Sequence, residues 1–143
     1  MSYWDTSALV KFYVVEPDTA VFEALALASP VVTSGIARHE ARTVFRRREA
    51  EGALPPGAGA ALFQRLEADV ASGMVHLFSD SADIEQEFGL VLDACFSQVP
   101  PIFVRTNDAL HLAAAHAAGE TDFVTADMRQ RTAARLLGLN VRP

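Results

Sequence analysis

Five short runs rich in aromatic and β-branched residues alternate with segments of helical length: Ser2-Tyr3-Trp4, Pro30 to Thr33, Met74 to Phe78, Phe123-Val124-Thr125 and Leu139 to Val141. Strands joined by helices pair in parallel, because a helical crossover returns the chain to the same end of the sheet. A parallel sheet is covered on both faces, so the expected fold class is α/β, a three-layer sandwich with a central parallel sheet flanked by helices. The helices are expected over Ala8 to Val15, Thr19 to Ala28, Ile36 to Glu51, Ala58 to Ser72, Asp80 to Phe96, from a cap at Thr106 or Asn107 to Ala118, and Met128 to Leu137. Ser34 stands where it can cap the third of these, and Gly52 and Gly138 stand where helices end. With 143 residues, half of them hydrophobic, and no loop long enough to be a linker, residues 1–143 read as a single domain with a core of its own.

Cys95 is the single cysteine, which excludes an internal disulfide and any cysteine-rich zinc site. A reducing cytoplasm is the expected compartment. No basic start precedes an apolar stretch, and no apolar run approaches the roughly 18 residues of a membrane span, so no membrane partner is expected. The net charge of −6 argues against a chain that holds nucleic acid by its overall field. Local charge reads differently: Lys11 is the one lysine among twelve basic residues, and Arg38, Arg42, Arg46, Arg47 and Arg48 crowd into one helix. Arg38, Arg42 and Arg46 repeat at i, i+4, i+8, a ridge that either meets RNA phosphates or is a solvated face paired with Glu49 and Glu51.

The acids carry the chemical signal. Asp5 and Asp127 each follow a strand directly, and in an open parallel sheet ligands bind beyond the strands' C-terminal ends. Taken singly, each also reads as a helix cap. Glu40 shares a helix face with Ala37, Ala41, Val44 and Phe45, and a carboxylate on an apolar face needs a countercharge, either an arginine or a metal. Asp108 lies on the side of its helix that carries Leu112 and Ala115, near an N-terminus whose dipole also suits an acid. If the four converge, a cation is needed to keep them ionised, and oxygen-only donors suit Mg²⁺ or Mn²⁺ better than zinc. His111 and His116 do not have the spacing of a zinc-protease pair and read as packing or surface residues. No phosphate-cradling glycine loop and no Gly-x-Ser-x-Gly turn is present, which removes nucleotide triphosphatases and serine hydrolases.

Four segments in order carry a family resemblance: Trp4-Asp5-Thr6-Ser7-Ala8-Leu9-Val10, Arg38-His39-Glu40, Arg105-Thr106-Asn107-Asp108-Ala109-Leu110-His111-Leu112-Ala113 and Val124-Thr125-Ala126-Asp127, with Leu136-Leu137-Gly138-Leu139 behind them. Together they resemble PIN domains, specifically the VapC-type toxins of bacterial toxin and antitoxin pairs, over essentially the whole chain. The resemblance implies a metal-dependent endoribonuclease in which Asp5, Glu40, Asp108 and Asp127 bind Mg²⁺ or Mn²⁺ and a metal-activated water cleaves RNA, leaving a 5′-phosphate and a 3′-hydroxyl. It further implies that Thr6, Ser7 and Thr125 hydrogen-bond to carboxylates, metal-bound water or phosphate, although as isolated residues they are turn and cap formers. A homodimer and a cognate antitoxin are the implied partners. The apolar residues Leu9, Phe12, Tyr13, Val14 and Val15 suit that antitoxin or, more simply, the core, and Phe88, Leu92 and Phe96 read as core. Asn107 departs from the pattern, standing where similar sequences commonly have an apolar residue. Two other functions stay open on sequence: a catalytically silent PIN-like module that binds RNA or protein, and a metal-dependent hydrolase of small phosphate esters.

Overall fold

The computed structural model describes residues 1–79 and 82–143. In chain order its elements are β1 (Ser2–Trp4), α1 (Thr6–Tyr13), α2 (Thr19–Ala28), β2 (Val31–Ser34), α3 (Gly35–Ala50), α4 (Ala58–Ser72), β3 (Val75–Phe78), α5 (Ala82–Phe96), α6 (Thr106–Ala117), β4 (Asp122–Val124), α7 (Met128–Leu136) and β5 (Asn140–Arg142). The strands form one sheet in the order β3-β2-β1-β4-β5, every neighbouring pair parallel. The three-layer α/β class read from the alternation is the observed one.

The differences lie at element ends, and side chains explain several of them. Helix α1 starts at Thr6 rather than Ala8, because the Asp5 carboxylate accepts the Ala8 N–H and caps the helix. It stops at Tyr13, short of Val15, in keeping with the bias against helical backbone just ahead of Pro17. Strand β2 begins after Pro30, which has no N–H to give to a neighbour, and runs through Ser34. Ser34 occupies the N-cap position of α3 without capping it, since its hydroxyl is hydrogen-bonded to Tyr3 instead. Neither Thr106 nor Asn107 caps α6: Arg105 is the N-cap residue, and the Asn107 amide is engaged elsewhere, on Glu40. Strand β4 ends at Val124, leaving the Thr125 hydroxyl turned to Asp5. The expected start of α5 at Asp80 lies outside the described residues.

Successive strand residues point to opposite faces, and this divides the core into two. Tyr3, Val32 and Phe123 pack with α5, α6 and α7, whereas Trp4, Val31 and Val124 pack with α1 to α4. Tyr3 stacks on Phe123 with ring centroids 5.6 Å apart, and Trp4 meets Phe12 and Phe22 edge-on. Ala109, Ala113, Ala114 and Ala115 are all buried in α6, where small side chains let the helix sit close to the sheet and to α5. Leu9, Tyr13 and Val14 are core and Phe12 partly so, while Val15 is exposed. Phe88 and Leu92 pack on the core, but Phe96 is exposed. Among the described residues no helix is long and apolar enough to cross a membrane.

One feature of this topology places the site. The chain leaves β1 toward β2 and β3 on one side, and only later builds β4 and β5 on the other. The reversal falls between β1 and β4, and a crevice opens there beyond their C-terminal ends.

Candidate active site

Asp5 stands at that reversal. Its N–H continues the ladder to the Val124 carbonyl at 3.1 Å, and its side chain turns down into the fold, 2% exposed. Oδ1 accepts from the Ala8 N–H at 2.9 Å and from the Ser7 hydroxyl at 2.8 Å, and Oδ2 accepts from the Thr125 hydroxyl. Burial nevertheless pushes the Asp5 carboxyl above its ordinary range, against the pull of positive charge at His111 and of these donors. Keeping it ionised therefore calls for further positive charge nearby. Ser7 also accepts the Ala126 N–H at 2.8 Å, so one hydroxyl ties the start of α1 to the loop after β4.

Glu40 reaches the same crevice from α3. Ala37, Ala41 and Phe45 are buried as their spacing suggests, but Glu40 sits at the edge of that face with its side chain 29% exposed. Its partner is no arginine. His111 Nε2 lies 2.9 Å from Oε2, the Thr6 hydroxyl donates to the same oxygen, and the Asn107 amide donates to Oε1 at 2.6 Å. Burial alone would raise the Glu40 carboxyl, yet the His111 and Thr6 hydrogen bonds, the charge at His111 and the Asn107 amide outweigh it and hold the group at about 2.

His111 is the residue that sequence reasoning set aside. Its side chain is 3% exposed, and Nδ1 lies 2.9 Å from the Tyr3 hydroxyl, which is itself 2.8 Å from Ser34 Oγ. A buried chain of polar groups thus runs from β2 through β1 to Glu40. The signal was available: His111 is three residues after Asp108, hence on the same face of α6. His116, on another face, pairs with Glu87 of α5 at 3.4 Å.

Asp108 and Asp127 form the outer part. Asp108 lies in the first turn of α6 and Asp127 at the N-cap of α7, where it accepts the Arg129 N–H at 2.8 Å. Arg105 spans them, donating to Asp108 at 2.7 and 3.1 Å and to Asp127 at 3.1 Å. The hydrogen-bonded Asp108 carboxylate raises the Arg105 guanidinium above even its usual range. Gln130 is buried and donates to the Asp108 carbonyl at 3.2 Å, fixing α7 against α6.

All four acids line one cavity of about 450 Å³. Its walls carry five carboxylates (Asp5, Glu16, Glu40, Asp108, Asp127) against three permanent cations (Lys11, Arg48, Arg105) and His111. Among the described residues no three potential ligands converge tightly enough to hold an ion as they stand. The place between Asp108 and Asp127 is taken by the Arg105 guanidinium. The donor chemistry fits a hard divalent cation all the same: oxygen donors from four elements, in a cavity where carboxylates outnumber cationic side chains.

The sequence profile of the PIN domain family matches residues 2–136. The chain belongs to the PIN domain family. No curated protein matches it significantly by sequence, but solved structures do by fold. VapC20 of Mycobacterium tuberculosis, described as a sarcin-ricin loop cleaving toxin, superposes with a TM-score of 0.70 at 19% identity, over 93% of this chain and 95% of that one. VapBC2 from Rickettsia felis, bound to a DNA fragment from its promoter, gives 0.69 at 19% identity over 99% and 98%. FitAcB from Neisseria gonorrhoeae gives 0.70 at 14% identity over 100% and 97%.

In this PIN domain the arginines of α3 divide by face. Arg38 is ion-paired to Glu67 of α4, Arg42 lies over the Phe63 ring at 4.8 Å, and Arg46 is 3.5 Å from Glu49. Arg38 and Arg42 thus turn to α4 and Arg46 to its own helix, and none of the three lines the cavity. Arg48 does, held by Glu16, which also binds Lys11 at 2.6 Å. The cavity thus has an acid centre and, at one end, two cations bridged by a glutamate. Lys11, Arg48 and Arg105 were missed as site residues: Lys11 and Arg48 stand outside the acid motifs, and Arg105, although it opens the Asp108 segment, carries no local sign that it meets Asp127.

Proposed function

We propose that this PIN domain is a metal-dependent endoribonuclease and the toxin of a toxin-antitoxin pair. The main support is the gathering of Asp5, Glu40, Asp108 and Asp127, from four separate elements, around one cavity at the topological switch point of the sheet. These four would hold Mg²⁺ or Mn²⁺, which when bound supplies a water of lowered pKa and stabilises the attacking and leaving oxygens of an in-line displacement. The protein's part is preorganisation. Ser7, Thr125 and the Ala8 N–H aim the Asp5 carboxylate, and Thr6, His111 and Asn107 aim Glu40. A side chain so fixed loses little freedom when a ligand arrives, which is how supporting hydrogen bonds raise affinity and rate.

Phosphates bound at the acids are expected to meet the cations that line the cavity, Lys11, Arg48 and Arg105, before the α3 ridge, which lies outside it. A cognate antitoxin and a second copy of the chain are the proposed protein partners. The antitoxin is suggested by the complexes VapBC2 and FitAcB among structures of the same fold. Exposed Val15, Leu27, Val99 and Phe103 leave apolar surface for such contacts.

The test is cleavage of labelled single-stranded RNA with Mg²⁺, Mn²⁺ or EDTA, for the wild type, Asp5→Asn and Asp108→Asn. Metal-dependent cleavage lost in both variants is the expected result. Metal-dependent release of phosphate from a small ester, with no RNA cut, would instead favour a phosphoesterase. A folded protein that binds RNA without cutting it would favour a binding module.

A further inference from the structure

Among the described residues the hydrogen bonds of the Arg105 side chain go to Asp108 and Asp127, while Asp5 and Glu40 are held by neutral donors and His111. The Arg105 side chain is 62% exposed, so it has little packing to lose on moving. It borders two cavities: the large one with the acids, and an adjoining one of about 330 Å³ lined by Glu40, Arg105, Thr106, Asn107 and Asp108. The guanidinium therefore has room on both sides, while its backbone stays fixed at the start of α6, where the Ala109 N–H donates to the Arg105 carbonyl at 2.9 Å.

We infer that Arg105 is a resident counter-ion that changes partners, bridging Asp108 and Asp127 until a divalent cation takes those carboxylates and then turning to bind the phosphate of the RNA. The inference rests on the metal-dependent nuclease reading above. Charge arithmetic supports it. Once a divalent ion neutralises Asp108 and Asp127, Arg105 has lost its carboxylate partners, and an arriving phosphodiester supplies the negative charge it then lacks. Geometry supports it as well. Arg105 already grips Asp108 with its Nε and Nη2 edge, the fork that equally matches two oxygens of a phosphate. In the metal-free chain the same contact quenches repulsion between the two outer acids, so one residue serves folding before it serves substrate.

The experiment titrates Mn²⁺ alone into metal-free wild type, Arg105→Met and Arg105→Lys by calorimetry. It then measures binding of a short labelled single-stranded RNA by anisotropy in Ca²⁺. Losing an exposed competing charge should tighten Mn²⁺ binding in Arg105→Met by about 2- to 5-fold, the range for exposed ion pairs. RNA binding should weaken in the same variant by about 10-fold, the scale of a charge-assisted bidentate contact. Arg105→Lys should keep the Mn²⁺ affinity near wild type while recovering only part of the RNA affinity, because an ammonium is a point charge without the fork. Opposite movements of the two affinities support the exchange. Unchanged or weaker Mn²⁺ binding in Arg105→Met, or unchanged RNA binding, overturns it while leaving the nuclease reading intact. Failure of the wild type itself to bind Mn²⁺ overturns both.

Discussion

The inner and outer halves of the acid cavity are built on different physics. Asp5 and Glu40 are held by groups that belong to the fold: the Ala8 N–H, Ser7, Thr125, Thr6, Asn107 and His111. Asp108 and Asp127 have their carboxylates joined by one exposed arginine. The inner acids are therefore preorganised, since their donors, the exposed Asn107 apart, are buried or half-buried in the fold. The outer pair is adjustable. A site of this kind keeps half of its ligands ready and leaves the other half to be completed by whatever cation arrives.

The comparison predicts a ranking of effects. The largest is expected for Asp5→Asn, which should lower RNA cleavage by more than about 100-fold, beyond the range for groups that only support a ligand. Thr125→Val should follow, at about 10- to 100-fold in activity or Mn²⁺ affinity, with Thr125→Ser close to wild type. Equal effects of Thr125→Val and Arg105→Met on Mn²⁺ affinity would break the distinction between the two halves.

His111→Leu sharpens the comparison through pH. Glu40 is ordinarily at 4.5 and lies at about 2 in the folded chain, so its contribution to stability is complete above its ordinary value and is lost as pH falls toward 2. Asp5 works in the opposite direction: its raised carboxyl makes ionisation unfavourable to folding, and acid relieves that cost. Removing the His111 donor should move Glu40 up and shift acid unfolding, followed by circular dichroism, to higher pH. Losing the His111 contact to the Tyr3 hydroxyl, which keeps Ser34, should also cost about 0.5–1.5 kcal/mol at neutral pH. His111→Gln, which can still donate to Glu40, should recover part of both. An acid midpoint unmoved in His111→Leu would show that Glu40 does not depend on the buried chain.

The smallest effects belong to the α3 ridge. Arg42→Ala should cost roughly 0.5–1 kcal/mol of stability in chemical denaturation through loss of its contact with Phe63, with RNA cleavage within about 2-fold of wild type. Arg48→Met, six residues along α3 and on a different face, should weaken RNA binding and flatten its salt dependence by about one phosphate contact. The reverse ranking of Arg42 and Arg48 would return the ridge to the RNA.

Much of this was legible in the chain. Alternation of short strands with helical segments specifies a parallel sheet, and period-two patterning sends Tyr3 and Trp4 to opposite cores. Asp5 and Asp127 were readable as strand-end acids for the same reason, since a strand's end is a local property. Glu40 was half legible: helical phase put it beside Ala37 and Ala41, but its histidine partner comes from a helix 71 residues later.

Sequence by itself thus determined the layers, the order of the elements and which residues stand at the strand ends, because these follow from local periodicity and from where the backbone can turn. Tertiary structure decided which charges meet. Helix phase says that Arg38, Arg42 and Arg46 share a face, and only the packing of α4 brings Arg38 to Glu67 and Arg42 to Phe63. The same holds for Arg105, Arg48 and His111, whose roles depend on distances between elements. Electrostatic interactions act through space, and the spacing in the chain does not record it.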